Sequence, residues 1–178
     1  MKCEVDVPDA VAEVPRSEPD EAQKYMPHLY YFEKNELQKI DSSHFRDKYL
    51  GLFFGASWCK YCVTFIDNVK QFKKSFPFIE IIYIPFDQTY KDYLSFLKKT
   101  NFYSLPFDNY LYICKKYNIQ NLPSLMIIAP NNSILVKNAV QLIQTDAYVN
   151  NLKSLIRNYT IQPSSFKFNN RLYDLFCA

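Results

Sequence analysis

Two rhythms of apolar residues alternate along this chain. Residues 49–57 (YLGLFFGAS) and 80–86 (EIIYIPF) are almost continuously apolar over the length of a strand, the pattern of strands buried on both faces. Between them the apolar positions are Cys62, Phe65, Ile66, Val69, Phe72 and Phe76, the spacing of a helix with one face in a core, and Pro77 stops it. Upstream, residues 28–40 (HLYYFEKNELQKI) mix an apolar run with alternation and predict an opening strand or hairpin, with Asp41, Ser42 and Ser43 capping a short turn after it.

Downstream, residues 92–100 predict a second helix, 102–109 an irregular loop and 110–119 a third helix. Residues 122–136 (LPSLMIIAPNNSILV) read as strand, Pro-Asn-Asn turn and strand, an antiparallel hairpin. A capped amphipathic helix follows at 145–159, with Ala147, Val149, Leu152, Leu155 and Ile156 at helical spacing. No internal repeat is present. Strands alternating with helices and ending in a hairpin predict an α/β fold, a central mixed sheet with helices on both faces.

Composition adds the boundaries. At 178 residues and 48% hydrophobic, the chain is sized for one sizeable core. Residues 1–27 carry seven acids against Lys2, Arg16 and Lys24, and four of the ten prolines, so this segment is −4 while the rest is +7. With no apolar periodicity, it predicts a disordered acidic tail at 1–27, followed by a domain at 28–160 and a C-terminal extension at 161–178. Residues 164–176 are apolar enough to dock on the domain, or to bind a partner. Glycine is scarce, at two residues, so turns must lean on proline and asparagine. The first residues lack the apolar core of a signal peptide and no run of about 18 apolar residues occurs, so a cytoplasmic monomer with no membrane association is expected. The lysines are scattered along helices without a binding motif, which argues against nucleic acid as a partner.

The chemistry is concentrated in residues 57–65 (SWCKYCVTF). Cys59 and Cys62, on the first turn of a helix, have Cβ atoms about 5–6 Å apart, near enough to open and close a disulfide locally. Unsatisfied N–H groups and the helix dipole favour a thiolate at Cys59, which is the expected nucleophile, exposed at the helix start. Cys62 falls on the apolar face and is the expected resolving thiol. A zinc site would need two further ligands, yet Cys3, Cys114 and Cys177 are isolated and His28 and His44 show no paired spacing, so no metal is expected. An odd number of cysteines, five, without a secretion signal argues for reduced thiols rather than a disulfide framework. Cys114 shares a helix face with Leu111 and Tyr117 and reads as core, while Cys3 and Cys177 lie in the tails.

The residues ASWCKYC (56–62), with YNIQNLPSLMII (117–128), resemble the thioredoxin superfamily. That resemblance implies the thioredoxin fold, with a cis-proline at Pro123 facing the two cysteines and Leu122 offering backbone hydrogen bonds to a substrate. Trp58, Lys60 and Tyr61 would border the same site. FDQ (86–88), FYSLPF (102–107) and a separation of about 60 residues between Cys62 and Pro123 look like the tryparedoxin and nucleoredoxin branch. The pentapeptide Trp58–Cys62, the acidic tail and the length together are similar to plasmoredoxin-like members.

The resemblance covers residues 28–160 and implies a dithiol oxidoreductase with no bound cofactor, its redox group being a Cys59–Cys62 disulfide. It implies protein disulfides as substrates, ribonucleotide reductase among them, glutathione as co-substrate, and glutathione or thioredoxin as reductant. Thioredoxin carries a buried acid six residues before its nucleophile, where it helps deprotonate the resolving thiol. Here that position is Phe53, so water or a less direct acid must take the proton. Lys60 and Tyr61 replace a Gly-Pro pair, and Tyr61 is glutaredoxin-like. Lys60 either attracts anionic glutathione and favours the Cys59 thiolate or simply points to solvent. A reductase that turns over, and a redox-sensitive binding module that uses the Pro123 groove without turnover, both remain open. An oxidase or isomerase of an oxidising compartment is weakened by the missing signal peptide.

Overall fold

The two near-continuous apolar runs are parallel neighbours in a seven-stranded sheet. The computed structural model describes residues 28–145, 148–160 and 171–177; the acidic segment 1–27 with Cys3, Ala147 and residues 161–170 lie outside them. Strands β3 (Tyr49–Gly55) and β4 (Ile79–Pro85) pair with Tyr49 opposite Ile79 and Gly55 opposite Pro85. Around them lie β1 (Leu29–Glu33), β2 (Glu36–Ile40), β5 (Tyr103–Ser104), β6 (Ser124–Ile128) and β7 (Ile134–Val136), in the order β2-β1-β5-β4-β3-β6-β7. The β5–β4 pairing is also parallel and the others are antiparallel, so the sheet is mixed. β5 falls inside the stretch expected to be irregular, and at two residues it is too short to carry an alternation signal.

The helices are α1 (Lys60–Ser75), α2 (Tyr90–Thr100), α3 (Leu111–Tyr117), α4 (Ala139–Ile143), α5 (Tyr148–Thr160) and α6 (Arg171–Phe176). α2 starts two residues earlier than its apolar pattern because Thr89 caps it, its Oγ1 accepting the Asp92 N–H at 3.1 Å. Asp41 likewise caps a short 3-10 turn at Ser42–Phe45, accepting the Ser43 N–H at 2.8 Å. With so little glycine, asparagine takes most of the left-handed positions: Asn101 ends α2, Asn118 ends α3, Asn132 sits in a hairpin turn, and Asn35 shares the other hairpin turn with Lys34, which is also left-handed.

Strand alternation divides the core between the two faces of the sheet. Phe53, Ile81, Tyr83, Leu125 and Ile127 pack with buried residues of α1, α2, α4 and α5. Leu52, Phe54, Ile82, Ile84 and Met126 pack with α3 and α6. The described part of the C-terminal extension is thus built into the domain, with Leu172, Leu175 and Phe176 in the second core. Arg171, 3% exposed, anchors it by donating from its guanidinium to the carbonyls of Phe45 and Lys48 at 2.5 Å and of Ala129 at 2.6 Å, and from Nε to Asn132 Oδ1 at 2.8 Å. The Tyr117 hydroxyl donates to the Leu175 carbonyl at 2.7 Å, closing the other end. No helix among the described residues is long and apolar enough to cross a membrane.

Arg171→Ala would leave several buried carbonyls without their charged donor. It is expected to cost about 2–4 kcal/mol, read as a lower urea midpoint at unchanged slope. A change within about 0.5 kcal/mol, the usual range for surface positions, would show that this anchor does not hold the extension.

Candidate active site

The strand β3 delivers the chain straight into α1. After Gly55 the backbone turns through Ala56, Ser57 and Trp58, closed by the Cys59 N–H donating to the Ala56 carbonyl at 3.2 Å. Cys59 is then the N-cap of α1, with an extended backbone (φ −82°, ψ 104°) and its Sγ accepting the Cys62 N–H at 3.2 Å. A thiol occupies the place where serine or aspartate usually satisfies the free amides of a helix start. The same bond draws the two sulfur-bearing residues together, and both are free thiols.

Behind the pair the packing is close. A Cβ at Gly55 would stand 3.1 and 3.2 Å from atoms of the Phe53 ring and 3.7 Å from Cys62 Cβ, so a side chain there would press on both. Glycine lets the Phe53 ring lie behind Cys62, where it meets Phe102 edge-on with ring centroids 6.0 Å apart. Cys62 is fully buried. Burial first, then its hydrogen bond with Cys59, push the Cys62 thiol well above the ordinary value of 9.0, against a smaller opposing hydrogen bond with the Ala56 backbone.

The expectation of an exposed Cys59 is corrected: it is 2% exposed. It packs into the buried cluster of Phe53, Ala56 and Cys62, and the neighbouring side chains take the surface instead. Trp58 is 42% exposed and Tyr61 67%, and Lys60 is exposed as well. The Leu122–Pro123 peptide bond is cis, and both residues are half-buried. Because Ser124 stands opposite Phe54, Pro123 lies at the end of β6 that faces the Gly55–Cys59 turn. The structure therefore brings Trp58, Cys59, Lys60, Tyr61, Cys62, Leu122 and Pro123 to one end of the sheet. Cys114 belongs to the core on the opposite face, and Cys177 is exposed at the end of α6.

Two further residues join the site, Tyr83 from β4 and Asp87 from the segment after it. Ser57 donates its N–H to Asp87 Oδ1 at 2.7 Å, and the buried Tyr83 hydroxyl makes a short hydrogen bond to Asp87 Oδ2 while lying 3.2 Å from the Gly55 carbonyl. The Trp58 indole donates to the Phe86 carbonyl at 2.8 Å. Burial and then the nearby Asp87 charge push the Tyr83 hydroxyl well up, so it stays protonated and available as a donor. Sequence reasoning missed Tyr83 because it sits inside an apolar run, and met Asp87 only as part of FDQ. The usable signal was an acid two residues beyond a buried strand parallel to the one that leads into the C-x-x-C.

A cavity of about 380 Å³ lined by Lys70, Lys73, Lys74, Glu80 and Tyr103 lies at the far end of α1 and is no part of this site. Among the described residues, no group of three or more His, Cys, Asp or Glu side chains is placed to hold a metal ion.

Comparison with known proteins agrees with this geometry. Residues 47–134 match a family model described as thioredoxin-like. Probable nucleoredoxin 3 of Oryza sativa subsp. japonica is 29% identical over 126 residues, 64% of this chain and 27% of that protein. Nucleoredoxin of Xenopus laevis is 22% identical over 111 residues, 58% of this chain and 27% of that protein. The chain thus spans about a quarter of the length of the curated relatives it matches. Among solved structures, tryparedoxin II of C. fasciculata superposes with a TM-score of 0.62 at 20% identity, covering 70% of this chain and 84% of the other. Tryparedoxin of Trypanosoma brucei gives 0.62 at 22% identity, covering 71% and 90%. At these identities the structural likeness carries the fold.

The raised Cys62 pKa makes stability depend on pH. The unfolded thiol ionises near 9.0 while the folded one stays protonated, so the folded state binds more protons above that pH. Stability is full below it and falls as pH rises, by up to about 1.4 kcal/mol per pH unit. Urea titrations of the reduced protein between about pH 8 and 10 are expected to show this slope shrinking in Cys62→Ala. An unchanged slope would mean that Cys62 ionises alike in both states.

Proposed function

We propose that this chain, which belongs to the thioredoxin superfamily and to its tryparedoxin- and nucleoredoxin-like branch, is a dithiol oxidoreductase that reduces protein disulfides. The observation that carries the reading is the Cys62 N–H bond to Cys59 Sγ at the start of α1, which holds two free thiols in one turn. In this scheme Cys59 attacks a substrate disulfide and releases one thiolate, leaving a mixed disulfide. Cys62 then attacks the Cys59 sulfur, freeing the second substrate thiol and closing the Cys59–Cys62 disulfide. Two electrons pass from the protein to the substrate, and glutathione or a thioredoxin system restores the dithiol.

The substrate side of the site follows from the exposed residues around the sulfurs. Trp58, its ring edge fixed by the Phe86 carbonyl, and Tyr61 offer flat apolar surface, and Leu122 and Pro123 form the opposite border. Lys60 adds a positive charge suited to anionic glutathione as co-substrate. Ribonucleotide reductase as a target, the plasmoredoxin-like assignment and action in the cytoplasm are finer parts of the same proposal, supported by the pentapeptide Trp58–Cys62 and the family resemblance. The reaction needs no cofactor beyond the cysteine pair.

One observation favours a slower second reading, a redox-sensitive binding module: Cys59 is only 2% exposed, so a bulky disulfide must displace neighbours to reach it. Insulin-disulfide reduction with a glutathione or thioredoxin-reductase couple separates the two, because a module would oxidise once and stop.

Cys59→Ser is expected to lower this turnover more than about a hundredfold, and Cys62→Ser to accumulate stable mixed disulfides with protein targets. Residual turnover above a tenth of wild type in Cys59→Ser would mean another thiol attacks. Lys60→Glu is expected to slow reaction with glutathione disulfide more than with a neutral disulfide, and more at low salt, because attraction between exposed charges is screened. Equal slowing of both substrates would remove the electrostatic role of Lys60.

A further inference from the structure

At the edge of the sheet that carries the cysteines, two aromatic rings stand partly outside the fold. β4 and β5 run parallel to β3, so the segments that follow them, 86–90 and 105–110, emerge at the same edge as the Cys59 turn. On these segments Tyr90 is 52% exposed and Phe107 36%, and neither has a part in the cysteine chemistry. We infer that Tyr90 and Phe107 form a subsite for an aromatic or long aliphatic side chain of the protein substrate, about three to five residues from the cysteine that Cys59 attacks. The inference rests on the proposed reductase reading and deepens it.

The two rings belong to a rigid frame. With the buried Tyr93 they form a triangle: Tyr90 to Phe107 is 5.9 Å between centroids, Tyr90 to Tyr93 5.8 Å and Tyr93 to Phe107 5.7 Å. Tyr93 is the floor, stacked on Tyr83 of β4 at 6.5 Å. Thr89 Oγ1 accepts the Asp92 N–H at 3.1 Å and so fixes Tyr90 as the first residue of α2. The approach to Phe107 is held by two tyrosine hydroxyls, Tyr93 donating to the Leu105 carbonyl at 3.0 Å and Tyr110 to the Pro106 carbonyl at 2.7 Å. Rings held in this way lose little freedom when a ligand covers them.

Their distance from the sulfurs is bounded. Tyr90 lies four residues beyond Phe86, whose carbonyl accepts the Trp58 indole N–H at 2.8 Å, so its backbone is within about 14 Å of that carbonyl. An extended peptide covers this span in about four residues. β4 flanks β3 on one side and β6 on the other, so the two rings and Pro123 lie on opposite sides of the cysteine turn. Trp58, Tyr90 and Phe107 together expose roughly 300 Å², the size of a functional patch on a monomer and well under the ~800 Å² that each partner of a standard stable complex contributes. That area suits a transient redox encounter with a protein substrate rather than a second copy of this chain. The chain's own residues 1–27 hold one ring, Tyr25, among seven acids, a poor match for an apolar pair.

The test uses the reduced full chain and symmetric disulfides of short peptides, each peptide with one cysteine and with either Phe or Ser about four residues from it. The wild type is expected to reduce the Phe peptide about tenfold faster than the Ser peptide, the gain from covering part of one aromatic side chain. Tyr90→Ser and Phe107→Ser should each bring that ratio below about twofold by slowing the Phe peptide alone. Tyr90→Phe, which keeps the ring and removes only the hydroxyl, should retain it.

Equal rates for the two peptides in the wild type overturn the inference, as would follow if residues 1–27 or a second copy covered the rings. A preference that survives both serine variants overturns it too, and equal slowing of both peptides would mark the rings as structural. Where a serine variant does not fold, the wild-type ratio decides. A concentration-dependent dimer in sedimentation that Tyr90→Ser dissolves would assign the patch to a second copy instead. Failure of the wild type to reduce either peptide would sink the reductase reading itself, and the subsite with it.

Discussion

The site depends on one hydrogen bond, from the Cys62 amide to the Cys59 sulfur. It makes a cysteine the cap of α1, and a cap must sit where an extended strand becomes a helix. That constraint ties the site to β3, a buried strand that pairs along its length with β4 on one side and β6 on the other. It also explains the two features around it. Gly55 is needed so that the turn, the Phe53 ring and Cys62 can share one space. Cys59 is buried because it is packed into the core cluster of Phe53, Ala56 and Cys62.

A second layer keeps the turn from fraying. Ser57 and Trp58, the two residues before the cap, are each anchored to the segment after β4, one on the Asp87 carboxylate and one on the Phe86 carbonyl. The parallel β3–β4 pairing makes this possible, because both strands end at the same edge of the sheet and their exits face each other. Ligand chemistry in open α/β sheets gathers at such an edge for this reason. The far face is closed differently, by α6 and its Arg171, so the sheet that holds the cysteines is braced by a segment at the opposite end of the sequence.

Long periodic segments were legible in the sequence. The apolar runs of β3 and β4, the stripe of α1 from Cys62 to Phe76 and the Pro-Asn-Asn hairpin all appear where their patterns place them. β5 and α4 were not, because two strand residues or five helical ones carry too little periodicity. At the site, the cysteines and their spacing were legible, as was the burial of Cys62, which falls on the apolar stripe. The burial of Cys59 was not, since a cap lies just outside the helical repeat. Nor was the link from Ser57 through Asp87 to Tyr83: it joins residues about thirty positions apart, and no local pattern records it.

The account stands or falls on whether Cys59 and Cys62 exchange electrons as a pair. The direct measurement is to equilibrate the full chain in glutathione buffers of graded potential, quench by alkylation and map the disulfides by mass spectrometry. The account predicts one intramolecular Cys59–Cys62 disulfide that forms in a single two-electron transition, tenfold in its oxidised-to-reduced ratio for about every 30 mV. Oxidation that instead joins Cys114 or Cys177, links two chains, or leaves Cys59 and Cys62 as separate glutathione adducts would contradict it.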